Sequence, residues 1–538
     1  NMACESRASN APLIVSRGDV GVGRRILRGL CHCSCATVHL CCIVLLDLAT
    51  IGIILAVLPL LACVSVPVCL PAIVDYLLHP TREYLDGVSA VYISNLPEAV
   101  IHCVVIYEER VSAEAVFAQF KHVYLGGATP EFDKFRQVIV RPKWCWPYWA
   151  AGETSLDPAY HMTTVRESLT KDELQARVAA IQCEPLDFAR PVWQVWHFEN
   201  YTDERGRPCS ATLVRLHHAW VDGLTGMRVL LKGASPNAPP DSPPSQRVRQ
   251  RRGLSGSALV RYILATLRKL LLMPQDPPSG LKARRHLGPS SSRVVAWNTL
   301  PGVSVADLKQ VGAQLGGASV NDLLCSALSS ALRSYCQSSL LPRDRPRGDP
   351  TAAVWVSCAP LKHMYASFDE VPLVWGCGSL GVVYIPLPVG TRYGDVSPGE
   401  TLHILRQRTS SPALELEAFV AHLLQSAIGA LPRPVGGLVW RLVANTVTVS
   451  MSNLPGPQFP LRWCGAPVRS MLFFVPPTGT LSLFVTIATW NGAVNIGMAM
   501  DAALLGHEKL SDITGRYFED EIAALRSYAR DPSLGRVV

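Results

Sequence analysis

From Val38 to Val74 the chain carries one formal charge, Asp47, and from Leu48 to Val74 it carries none. Those 27 residues exceed the roughly 20 that a helix needs to cross a bilayer, and a run so apolar is not a solvated loop. It begins too late and runs too long for a cleaved leader. Pro59, Pro67 and Pro71 lack the N–H that a helix interior requires, so the segment reads as an interrupted single span or as a re-entrant hairpin bent near Pro59. Arg7, Arg17, Arg24, Arg25 and Arg28 precede it and favour a cytosolic N-terminus. The expectation is a basic cytosolic tail over 1–37 and a membrane segment over 38–78. A single span then sends the remainder to the lumen, whereas a hairpin keeps it cytosolic.

The remainder of the 538 residues is long enough for more than one globular unit. With 49% hydrophobic and 17% charged residues it is neither disordered nor collagen-like. The 17 cysteines form no CxxC pair, which argues against a zinc ribbon or a thioredoxin-type site, and their scatter fits a reducing compartment. The net charge of +8 is concentrated: Ser242–Arg293 holds eleven Lys/Arg and one acid, Asp276. That stretch has few aromatics and matches no nucleic-acid module, so no nucleic acid is expected as a partner.

After about Glu83 the pattern is α/β. Ala99–Glu109 is β-rich, Val111–Tyr124 has helical spacing, and Ser210–Gly223 reads as a strand emptying into a turn. Ala234–Ser245, rich in Pro and Ser, reads as a linker. Beyond it a second α/β set begins, with helices expected in Val303–Gly312 and Val320–Cys336 and a strand in Thr351–Pro360. Asn491-Gly492 between two apolar runs is a hairpin signal. The expected organisation is one half over 80–233, a linker over 234–293 and a second half over 294–538. Within the linker, Ser257–Leu272 is amphipathic and basic, with Arg261, Arg268 and Lys269 on one face. Such a helix lies on a membrane surface or packs on its own domain, and the sequence supports both readings equally.

The chemistry concentrates in His217-His218-Ala219-Trp220-Val221-Asp222-Gly223. Neighbouring side chains on a strand point apart, so the two histidines do not converge on one ion, and no metal is expected. A lone imidazole near neutral pKa can instead take a proton from a hydroxyl.

HHxxxDG is shared by the chloramphenicol acetyltransferase-like superfamily. Other residues narrow the resemblance: Pro191-Val192-Trp193 resembles the PLW motif of the wax ester synthase/diacylglycerol acyltransferase family, with Val for Leu. Asn321-Asp322 resembles its ND motif, and Asn453–Pro457 its NVPGP motif, with Leu454 for Val. Leu85-Asp86 is similar to its LDxxF region, and the motifs stand in the family's order.

The resemblance implies an α/β (α+β) fold of two chloramphenicol acetyltransferase-like halves forming a central tunnel. It implies a membrane-associated O-acyltransferase that joins a long acyl chain from acyl-CoA to a fatty alcohol or diacylglycerol. His218 would be the general base, His217 would shape the site, and Asp222 would hold the turn through an arginine. Gly223 would leave room for substrate. Asn321, Asp322, Asn453 and Trp193 are carried over as substrate-channel positions. Acyl-CoA is a substrate in this reading, and no cofactor is expected. Membrane lipid is the expected partner, and the catalytic part would face the cytosol of an endoplasmic-reticulum-type membrane. The alternatives are a superfamily enzyme acting on another hydroxyl or amine, or an inactive lipid-binding scaffold.

Overall fold

Two mixed sheets, with their central strands buried, make up the frame. The computed structural model describes residue 52 and residues 69–530, apart from 97, 152–155, 237–255, 284–291, 361–362, 364–366, 395, 410–412, 445, 464 and 476–480. From residue 69 onward these belong to the compact unit Val64–Val538. The expected basic tail and most of the expected membrane segment lie outside the described residues. The segment's last part, 69–78, is helical. Among the described residues no helix is long and apolar enough to cross a membrane.

The first sheet has seven strands, in the order Met162–Leu169, Trp193–Thr202, Pro208–His217, Val100–Tyr107, Ala466–Phe474, Leu461–Trp463, Ala234–Pro236. All eight residues of Val100–Tyr107 are buried, as a central strand that is apolar on both faces apart from His102 requires. The helix Lys171–Gln182 packs beneath the sheet and starts at a capping box in which Thr170 and Glu173 satisfy each other's backbone N–H. The second sheet has six strands, in the order Leu380–Pro386, Thr351–Ser357, Val449–Pro455, Leu483–Trp490, Ala493–Asp501, Arg293–Ser304. The expected hairpin is present: Asn491 and Gly492 take φ of 46° and 78° between paired strands, the sign that a tight two-residue turn demands. A small third sheet joins Glu83–Tyr84, Tyr148–Ala151 and Gln137–Val140.

The expected cut at residue 294 does not separate the two main sheets. Leu461–Trp463 and Ala466–Phe474 leave the second half and complete the first sheet, Ala466–Phe474 pairing with Val100–Tyr107. The expected linker is also partly built in. Ala234–Pro236 pairs with Leu461–Trp463, and Gly256–Leu272 is a helix that packs on the protein. Lys269, assigned to the polar face, reaches inward to both carboxylate oxygens of Glu417 at 2.7 and 2.8 Å and to the Tyr384 carbonyl at 2.7 Å. Leu270 and Met273 join an apolar cluster with Ala353, Val382 and Ala421. Of the two readings of this helix, packing is the one realised.

Candidate active site

Strand Pro208–His217 ends at the histidine pair, and the two rings part as the strand geometry requires. His217 is fully buried; its Nδ1 accepts from the Ala219 N–H at 3.1 Å, and its ring meets the edge of Phe188. His218 donates its backbone N–H to the Ala99 carbonyl at 2.7 Å and sends its ring into an apolar cavity. Among the described residues no cluster of three or more His, Cys, Asp or Glu could hold a metal.

The cavity is walled by both halves: Tyr92, Leu96 and Ala99 on one side, Trp355, Tyr384, Trp440 and Phe484 on the other. Tyr92 stacks on the His218 ring. Burial lowers the His218 pKa below that of an ordinary histidine, against smaller upward pulls from its own carbonyl, the Asp222 carboxylate and the Val221 carbonyl. The ring is therefore neutral at pH 7, the state a base needs. Nδ1 lies 3.3 Å from Cys377 Sγ, which leaves Nε2 as the nitrogen for the cavity.

Asp222 is the N-cap of helix Gly223–Lys232, accepting the Thr225 N–H at 2.7 Å. The arginine partner expected for it is not found among the described residues. Its other oxygen accepts from Ser379 Oγ at 2.5 Å, and Arg228 of the same helix donates to the carbonyls of Ser367, Val371 and Pro372 instead. A helix N-terminus and a hydroxyl already satisfy this carboxylate, so it needs no counter-ion.

The loop Gly376–Ser379 binds this turn from across the chain. The Gly376 N–H donates to the Trp220 carbonyl, and the Gly376 carbonyl accepts from the Asp222 N–H. Gly376 has φ of +109°, and a Cβ there would stand 2.2 Å from Asp86 Oδ2, so only glycine fits. Asp86 caps helix Gly87–Asn95 and, with Ser89, receives the Cys377 N–H. Sequence reasoning singled out Asp86 within a motif but missed Tyr92, Gly376, Cys377, Ser379 and Trp355. Gly-Cys-Gly-Ser after Trp375 is the only signal for that loop, and it suggests no more than a turn.

None of the four positions expected at the substrate channel borders this cavity. Trp193 is fully buried among Phe120, Phe135 and His161, with its Nε1 donating to the Phe135 carbonyl. Asn453 donates to Asn321 Oδ1, joining the two motifs across 132 residues. Asp322 closes a capping box with Ser319 at the start of helix Val320–Ser339. Along Val449–Pro455, Asn453 shares the face of Val449 and Met451, which face the helix-covered core, whereas Ser450 faces the cavity. Asn321, Asp322 and Asn453 thus tie helix to sheet on the far face. Gly223 does not border the cavity either; a Cβ there would touch Leu454 at an ordinary 3.5 Å.

The chain matches two family models. The wax ester synthase/diacylglycerol acyltransferase catalytic domain matches residues 134–324, and the WS/DGAT C-terminal domain matches residues 378–525. Among curated proteins it is 25% identical over 391 residues to a putative diacylglycerol O-acyltransferase of Mycobacterium tuberculosis, covering 66% of this chain and 72% of the relative. Among solved structures it resembles the wax ester synthase/diacylglycerol acyltransferase of Marinobacter aquaeolei VT8, with a TM-score of 0.54 at 20% identity over 83% of this chain and 99% of that one. The trichothecene 15-O-acetyltransferase of Fusarium sporotrichioides is also similar, with a TM-score of 0.51 at 10% identity over 83% and 94% of the two chains.

Proposed function

The chain belongs to the wax ester synthase/diacylglycerol acyltransferase family and is an acyltransferase of that type, and from that premise we propose that it carries a long acyl group from acyl-CoA to the hydroxyl of a fatty alcohol or diacylglycerol, with His218 as the general base. The observation that carries this reading is the buried His218 imidazole, its pKa lowered by burial, on the wall of an apolar cavity between two sheet-rich halves. Its lining is predominantly apolar and aromatic, which suits alkyl chains.

In this mechanism Nε2 of His218 accepts the acceptor's hydroxyl proton while the oxygen attacks the thioester carbonyl. The tetrahedral intermediate collapses, the C–S bond breaks, and the imidazolium returns its proton to the departing thiolate. Ester and free CoA thiol are the products. Such a base contributes about 10²–10⁴-fold, and orientation of two substrates in one cavity supplies much of the remainder. His217 acts through the turn, since its Nδ1 is engaged with the Ala219 N–H.

The enzyme would work at a lipid surface, on the cytosolic side where acyl-CoA is available. The apolar run Val38–Val74 supports this, as do the exposed Leu70, Leu77 and Leu78 on helix 69–78. The described cysteines are all free, in keeping with a reducing compartment.

The test supplies membranes from a host free of neutral lipid, expressing the full chain, with labelled acyl-CoA and either hexadecanol or diacylglycerol. Labelled ester that falls about 10²–10⁴-fold in His218→Ala is expected. Ester formation that survives this substitution would remove the base, and no ester with either acceptor would remove the substrate class.

A further inference from the structure

We propose that Cys377 is a positioning residue for His218: its thiol bridges the ring Nδ1 and the His218 carbonyl, so that the proton stays on Nδ1 and the Nε2 lone pair meets the cavity. This rests on the reading of His218 as the base.

Cys377 Sγ lies 3.3 Å from His218 Nδ1 and 2.9 Å from the His218 carbonyl oxygen, with the Val221 carbonyl at 3.7 Å. A thiol has one proton and lone pairs to spare, so it can donate to the carbonyl while accepting from Nδ1–H. The opposite tautomer would turn the Nδ1 lone pair toward the same carbonyl oxygens, which favour a proton there. A base whose proton sat on Nε2 would present a donor to the incoming hydroxyl and could not accept from it.

A cysteine beside a histidine also invites the opposite reading, a thiolate nucleophile carrying an acyl-enzyme. The surroundings speak against it. Cys377 is fully buried, and burial, with the Asp222 and Asp86 carboxylates nearby, pushes its thiol pKa well above the usual value. A nucleophilic cysteine needs an electropositive, accessible setting. Its sulfur faces backbone carbonyls, and it does not border the cavity.

The residue is held firmly enough for the task. Its N–H donates to Ser89 Oγ at 2.8 Å and to Asp86 Oδ2 at 3.2 Å, while the preceding Gly376 bonds to Trp220 and Asp222. The clamp thus spans the first half's leading helix, the second half's loop and the catalytic turn.

The experiment compares full-length Cys377→Ala and Cys377→Ser with the unaltered chain, measuring kcat, both KM values and the pH dependence of kcat/KM. Cys377→Ala should lower kcat about tenfold with both KM values within about twofold. Its acid limb should move down by about half to one pH unit, because imidazolium loses an acceptor. The serine hydroxyl offers the same donor and acceptor, so Cys377→Ser should restore most of kcat and the original acid limb. If thermal melting shows that the alanine variant is unfolded, the serine variant decides: a displaced acid limb there overturns the proposal. Loss in Cys377→Ser as deep as in His218→Ala, with burst release of CoA in the unaltered enzyme, would make the cysteine a nucleophile and overturn it. A His218→Ala variant that keeps activity overturns the base and this proposal together. A dead His218→Ala beside an unaltered Cys377→Ala overturns the role of Cys377 alone.

Discussion

The ring of Tyr92 lies flat on that of His218, with centroids 4.4 Å apart and planes 2° from parallel. An aromatic face so placed would stabilise the imidazolium formed in the proposed mechanism. Tyr92→Leu should lower kcat by about 2- to 30-fold and move the acid limb of kcat/KM to lower pH, whereas Tyr92→Phe keeps the face and should keep both. An unchanged acid limb in Tyr92→Leu would reduce the stack to packing.

Lys269 pairs with a Glu417 side chain that is only 5% exposed, so the linker helix contributes to the fold of the second half. Lys269→Glu should cost about 1–3 kcal/mol of stability by placing two carboxylates together. The double exchange Lys269→Glu, Glu417→Lys should recover much of that in urea unfolding. A Lys269→Glu variant of unchanged stability would return this helix to the membrane surface.

Asn453 and Asn321 bond to each other on the face of the second sheet away from the cavity. Asn453→Ala is therefore expected to cost about 0.5–1.5 kcal/mol of stability and to leave both KM values unchanged. A selective rise in either KM would place the pair on the substrate path.

Gly376 sits where a Cβ would meet Asp86 Oδ2 at 2.2 Å, in a conformation that L side chains avoid. Gly376→Ala should lower stability by at least about 2 kcal/mol and reduce activity with it, because the loop that holds Cys377 and Ser379 must shift. Wild-type melting in this variant would show that the loop adapts freely.

His102, His161, His197 and His218 all have pKa values lowered, in each case chiefly by burial. Each binds fewer protons folded than unfolded as the pH drops below the ordinary histidine value near 6.5. Stability should thus be complete above about pH 6.5 and decline as the pH falls toward the lowered values. Thermal melting from pH 8 to pH 5 checks this, and a melting temperature that rises on acidification would contradict it.

Features closed by neighbours along the chain are legible in the amino-acid sequence itself. Asn491-Gly492 dictates its turn because both residues tolerate positive φ, and Thr170 with Glu173 marks a helix start because their side chains reach each other's N–H within one turn. The strand running into His217-His218, with Asp222 capping the next helix, follows from the same short-range logic. What the tertiary structure alone decided lies across long stretches of chain. Ala466–Phe474 crosses into the first sheet, Cys377 reaches His218 over 159 residues, Ser379 replaces the expected arginine at Asp222, and Lys269 turns inward. Strand order and such contacts come from the summed burial of many apolar side chains, each compatible with several partners, so no local pattern specifies which distant residue arrives. The histidine motif was therefore visible in the sequence, whereas the cavity, the Tyr92 stack and the Cys377 contact around the His218 ring were decided by packing.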